Sequence, residues 1–151
     1  MAVAHKVQIG TVSHGTLRTE DLVDTFESEL RFYAPDTLAQ IEAEHGDAGF
    51  DAEGEIEDHE AAGYYLEALT EALEALAPDF CYFGNLEGDG SDFGFWPDMD
   101  RIQDVIDGGT RDPQDAETVI NVEEGVRIHV NDHGNLSIYR ISDDAEILSI
   151  V

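Results

Sequence analysis

Basic residues are scarce in this chain: one lysine, Lys6, and six arginines stand against 35 aspartates and glutamates, a formal net charge of -28. Nucleic acid and anionic membranes are thereby excluded as direct partners, since both would repel it. Cysteine occurs once, at Cys81, which excludes an internal disulfide framework and a cysteine-rich zinc site and fits a reducing compartment. No apolar run approaches the roughly 18 residues that span a bilayer. The opening residues lack the basic and apolar regions of a signal peptide, so the expected location is the cytoplasm of a host cell. Catalytic signatures are also missing: there is no Gly-x-Ser-x-Gly elbow, phosphate-binding glycine loop or dinucleotide fingerprint. The sequence is expected to encode no enzyme, and neither metal nor cofactor is expected.

What is present is acid, unevenly placed. Residues 1–19 carry Lys6 and Arg18 and no acid; residues 20–107 carry 26 acids and 2 bases; residues 108–151 carry 9 acids and 3 bases. With 151 residues, of which 42% are hydrophobic, the chain is long enough for one domain with a real core and short for two. A single acidic domain over 1–151 is therefore expected. The regular apolar pattern argues against disorder, except over 46–57, rich in Gly, Asp and Glu, which reads as a mobile loop.

Apolar spacing predicts the elements. A short strand is expected at 7–12, and a helix at 20–33 capped by Thr19, with Leu22, Val23, Phe26 and Leu30 inward and Asp24, Glu27 and Glu29 outward. Pro35 breaks it, and Asp36 opens a second helix to about Glu44. A third helix spans about 57–77, ended by Pro78, with Ala62, Tyr65, Leu66, Leu69, Leu73 and Leu76 as its core face. Two aromatic-rich runs around Gly88-Asp89-Gly90 predict a hairpin, and Pro97 and Asp98 open a short helix that Gly108 and Gly109 end. Strands are expected at 118–122, 126–130, 136–141 and 145–151, a meander. The fold class is α+β: three to four helices on an antiparallel sheet made of the hairpin plus the C-terminal meander.

Two sets of residues stand out as binding candidates. Glu57, Glu60, Glu67, Glu71 and Glu74 line the outer side of the third helix, and Asp100, Asp104 and Asp107 one side of the fourth. Tyr82, Phe93 and Trp96, interleaved with glycines, could form an aromatic platform, although such rings more often belong to a core. Other patterns fail on inspection. A calcium loop beginning at Asn85 would need a bidentate glutamate where Trp96 stands. Asp92-Phe93-Gly94 lacks every other kinase feature. His129 and His133 have metal-like spacing but flank a strand end and a turn without a third ligand.

Three segments carry a resemblance: Gly15-Thr16-Leu17-Arg18-Thr19-Glu20-Asp21-Leu22, the stretch from Cys81 to Pro97, and His129-Val130-Asn131-Asp132-His133-Gly134-Asn135 through Tyr139. Together they resemble small acidic proteins encoded by bacteriophages, prophages and plasmids. The resemblance implies a mobile-element setting and carries over no catalytic residue; Asn85-Leu86-Glu87 is more acidic here than in that family.

Two functions fit. One is an acidic DNA mimic that inhibits a basic, nucleic-acid-binding host protein of defence, repair or regulation. The other is a structural or protein-interaction protein of halophilic composition, whose acidity is adaptation to salt. A homodimer through an edge strand at 146–151 is compatible with either.

Overall fold

The computed structural model describes residues 7–150 and has an α+β fold, as the order of elements implies. The chain divides into two compact units, Met1–Trp96 and Pro97–Val151. The hairpin and the meander fall into separate antiparallel sheets, of three and five strands.

In the first unit, helices α1 (Thr19–Tyr33), α2 (Pro35–His45) and α3 (His59–Leu76) accompany a sheet of β1 (Gly10–Ser13), β2 (Cys81–Leu86) and β3 (Asp89–Pro97), in the order β1-β3-β2. The helices form where the apolar period of 3.6 predicts: Leu22, Val23, Phe26 and Leu30 of α1 and Ala62, Tyr65, Leu69 and Leu73 of α3 are buried. Their meeting point is Phe26, whose ring stands edge-on to Phe83 of β2 at 5.1 Å and to Phe93 of β3 at 5.7 Å. Pro35 occupies the first turn of α2, where its missing N–H costs no hydrogen bond. Asp58 caps α3, accepting from the amides of Glu60 and Ala61.

The start of α1 departs from expectation. Arg18, not Thr19, is the capping residue, and it makes no side-chain cap. The Thr16 hydroxyl instead donates to Asp21 at 2.6 Å and accepts from the Arg18 amide, which ties the approach segment to the first turn without capping a helical amide.

Residues 46–57, expected as a mobile loop, are held in hydrogen-bonded turns. Asp51 Oδ1 accepts the amides of Glu53 and Glu55, the Gly49 carbonyl accepts those of Glu57 and Asp58, and Phe50 bridges Ile56. Gly49 has φ +82°, and a Cβ there would overlap the Asp58 carbonyl, so the loop can close on α3 only at a glycine.

In the second unit, α4 (Met99–Asp107) precedes a meander of β4 (Thr110–Asp112), β5 (Asp115–Asn121), β6 (Val126–Val130), β7 (Leu136–Arg140) and β8 (Glu146–Ile150), paired in that order. Period-two alternation buries Val126, Ile128, Leu136, Ile138 and Leu148. On the opposite face Arg127 lies 4.9 Å over the ring of Tyr139, its partner in register. Asn121 Nδ2 donates to the Val105 carbonyl and ties the sheet to α4. Among the described residues no helix is long and apolar enough to cross a membrane.

Candidate functional site

The outer side of α3 is the most coherent acidic surface. At about 100° per residue, Glu60, Glu67, Glu71 and Glu74 fall within an arc of roughly 60°, opposite the buried arc centred on Leu69. All four are exposed. Glu57 lies before the capping Asp58 and so just outside the helix. The sequence from His59 to Leu76 contains no lysine or arginine, so the face cannot neutralise itself.

The arginines are engaged elsewhere. Five of the six form ion pairs, Arg18 with Glu20, Arg31 with Glu27, Arg101 with Glu124, Arg127 with Asp144 and Arg140 with Asp143, and Arg111 donates to the Ala116 carbonyl. Glu60, Glu67 and Glu71 make no side-chain ion pair or hydrogen bond among the described residues. Glu74 differs: its Oε2 accepts the Phe83 amide at 2.7 Å, so one member of the stripe fastens the helix to the hairpin.

Tyr64, 58% exposed, sits about 40° from Glu60 on the same face. Its place four residues after Glu60 is the signal the sequence offers for it. Exposed aromatics among charged residues are the usual anchors of protein interfaces.

Asp100, Asp104 and Asp107 are exposed on α4, in the other unit. Gln103 Nε2 donates to Asp107 at 2.9 Å, and Asp107 closes a helix with no basic residue in its last turn. A carboxylate there faces the negative end of the helix dipole, at a cost of about 0.3–1 kcal/mol. Glu71 and Glu74 approach the C-terminal end of α3, which also lacks a basic residue. Neither placement is favoured by the helix dipole.

The aromatic candidates do not share a face. Phe93 packs on Phe26 in the core, on the side of β3 that also carries buried Phe95; by strand alternation Trp96 projects to the other side. Trp96 Nε1 donates to the Gly84 carbonyl at 3.0 Å and the Tyr82 hydroxyl to the Asn85 carbonyl at 2.8 Å. A three-ring platform is therefore corrected to a pair of half-buried rings, Tyr82 and Trp96, because the rings of the hairpin alternate between its faces. No family model, curated protein or solved structure matches this chain.

A second acidic feature was not legible in the sequence. Glu20, Asp24, Glu27, Glu42 and Asp47 line a cleft of about 330 Å³ between α1, α2 and the 46–58 loop, with Val23, Ala48, Phe50 and Tyr65 also in its wall. Glu27, expected to point outward, is half-buried there. Burial, then the neighbouring Glu42, raises its carboxyl above the usual range, against the pull of Arg31. The Tyr65 hydroxyl donates to Glu27, and burial together with Glu27 and Glu42 holds that phenol protonated far above its ordinary range. The cleft lies about 150° around α3 from the glutamate stripe, reckoned from Tyr65.

His129 and His133 do not form a pair. His129 Nδ1 is 3.0 Å from Thr118 Oγ1, and its ring lies 3.5 Å from both Asp115 and Glu117, while His133 is exposed in the turn after β6.

Proposed function

We propose that the chain is an accessory protein of a bacteriophage or other mobile element that acts as an acidic DNA mimic, occupying the nucleic-acid site of a basic host protein. The observation that carries this reading is the unneutralised face of α3: Glu60, Glu67 and Glu71 stand exposed around Tyr64 with no ion pair among the described residues, while five of the six arginines are spent on other carboxylates and Arg111 on the Ala116 carbonyl. The mechanism is competition. Carboxylates stand where phosphates would face the target's arginines and lysines, and the long-range field of the -28 charge speeds encounter.

Charge density bounds the idea. From residue 60 to 74 the stripe runs about 21 Å, over which one DNA strand carries about six phosphates and α3 offers four carboxylates. The stripe is thus sparser than one strand, and an extended footprint must draw on further acids, of which Met1–Trp96 holds 22 against 3 bases.

A second reading, that the acidity serves a salt-rich environment and covers an ordinary interaction protein, draws support from the spread of acid: the cleft and the stripe face different directions, and both units are acidic. The deciding experiment immobilises the full chain, captures host proteins and elutes with duplex DNA. Mimicry predicts a nucleic-acid-binding protein released by duplex and not captured by the Glu67→Lys/Glu71→Lys variant. A captured set that duplex does not displace, or that the variant still binds, sinks the mimic.

A further inference from the structure

His14, Asp89 and Asp92 come together where the residue after β1 crosses the start of β3. His14 Nε2 is 3.4 Å from Asp89 Oδ2, and one donor atom from each of the three residues lies within 4.8 Å of the other two. Strand pairing produces the meeting. Thr11 stands opposite Gly94 and Ser13 opposite Phe93, with a register shift between them, and the Gly15 amide then donates to the Ser91 carbonyl at 3.2 Å. Such a shift re-aims side chains that regular alternation would send elsewhere.

Asp92 is the member that asks for a ligand. It is only 9% exposed, and its Oδ1 is buried with no hydrogen-bond donor. No basic side chain pairs with it among the described residues. A carboxylate removed from water without donor or cation is costly to keep ionised. Asp89, by contrast, is already oriented: its Oδ1 accepts from the Ser91 amide at 3.2 Å and the Ser91 hydroxyl at 3.0 Å, which leaves Oδ2 toward His14. Outer hydrogen bonds of this kind fix the ligating carboxylate in metal sites.

We propose that His14, Asp89 and Asp92 form a binding site for one divalent transition-metal ion, with zinc as the natural probe. One imidazole and two carboxylates suit zinc and its neighbours, whereas calcium and magnesium select all-oxygen sets. A neutral imidazole, two carboxylates and a divalent ion sum to zero charge, which removes the cost of burying Asp92. Donors of a tetrahedral zinc lie about 3.3 Å apart, from metal–ligand distances near 2.0–2.1 Å; the His14–Asp89 pair has that spacing, and Asp92 has to close by at most about 1.5 Å. With the His14 side chain 63% exposed, the remaining coordination position faces water. The site is independent of the mimic reading and uses none of the α3 glutamates.

The test is calorimetric titration of the full chain with zinc chloride in about 0.5 M potassium chloride, which screens diffuse binding to the acidic surface. One ion per chain is expected, with a micromolar or tighter dissociation constant. His14→Ala changes no carboxylate, so diffuse attraction is untouched, yet it should weaken binding at least about tenfold. Asp92→Asn should also lose the ion while raising the melting temperature of the metal-free protein, because it removes the unpartnered charge. Zinc should shift the His14 imidazole nitrogen resonances, and calcium should not. The proposal is overturned if zinc gives no saturable binding at that salt, or binds His14→Ala with unchanged stoichiometry and affinity; in the latter case the ion sits on surface acids.

Discussion

The carboxylate of Glu74 accepts the backbone N–H of Phe83 at 2.7 Å, so the last glutamate of the α3 stripe joins helix to hairpin while the side chains of its neighbours in the arc bond to nothing among the described residues. The stripe is thus chemically divided, although its members look alike in sequence. Hydrogen bonds to charged groups contribute about 1.5–3 kcal/mol; with Glu74 exposed, a loss of about 1–2 kcal/mol is expected for Glu74→Ala. Denaturant unfolding should show that loss, whereas Glu67→Lys and Glu71→Lys should leave stability unchanged or slightly raised, since each relieves the like-charge repulsion between these two glutamates, one turn apart on α3. Equal destabilisation by all three would contradict the division.

Tyr64 separates interface from fold. Its ring is 58% exposed, so Tyr64→Ala should change stability by less than about 0.5 kcal/mol. In the duplex-displaceable complex the same substitution should weaken affinity by at least about 1 kcal/mol, roughly fivefold. Undiminished affinity would remove Tyr64 from the interface.

Salt dependence discriminates the two readings of the charge. Thermal unfolding followed by circular dichroism should be cooperative in about 0.1 M potassium chloride, where the Debye length is about 10 Å. A chain that folds only at molar salt would show that its acidity is matched to that solvent, and the mimic would lose its main support.

Stability should peak at mildly acidic pH, and the sign follows from two groups. Burial and Glu42 raise Glu27 above 4.5 in the fold; the folded state therefore takes up a proton more readily than the unfolded chain, and stability grows as pH falls through that raised value. Asp115, lowered below 3.8 by the Thr118 hydroxyl and the Glu117 amide, contributes stability above that unfolded value and loses it as pH falls through the lowered one. Melting temperature should therefore climb as pH falls from neutral toward 4.5 and decline as it falls below 3.8. Glu27→Gln should flatten the upper limb; an unaltered climb would place its origin in the general charge.

Phe26 anchors the first unit, 1% exposed and in contact with the rings of Phe83 and Phe93. Phe26→Ala should cost about 3–5 kcal/mol, enough to unfold a marginally stable domain. Retention of a native melting transition within a few degrees would show the aromatic junction to be slack.

Much of the fold was readable because it rests on local pattern. The spacing of Leu22, Phe26 and Leu30, the interval from Ala62 to Leu73 and the Gly88-Asp89-Gly90 turn each specify an element from within a few residues. The third strand of the first sheet was expected at 7–12 and lies at Gly10–Ser13, because its position is decided by pairing with β3, where a Cβ at Gly94 would overlap the Gly10 carbonyl. The acidic loop at 46–58 misled by composition: Asp51 and Asp47 spend their carboxylates on backbone amides, which turns an apparent signal of disorder into turn chemistry.

By itself the sequence determined the α+β class, the helical faces and the excess of acid, since periodicity and charge are properties of neighbours along the chain. Only the tertiary structure decided what each acid does. Glu67 and Glu71 face water, Glu74 holds Phe83, Glu27 enters a cleft with Tyr65, and Asp92 is buried beside His14 and Asp89. The reason is that a carboxylate's role is set by whichever donor, cation or solvent reaches its oxygens, and the decisive donor can be distant in sequence: Phe83 lies 9 residues from Glu74, and Tyr65 lies 38 from Glu27.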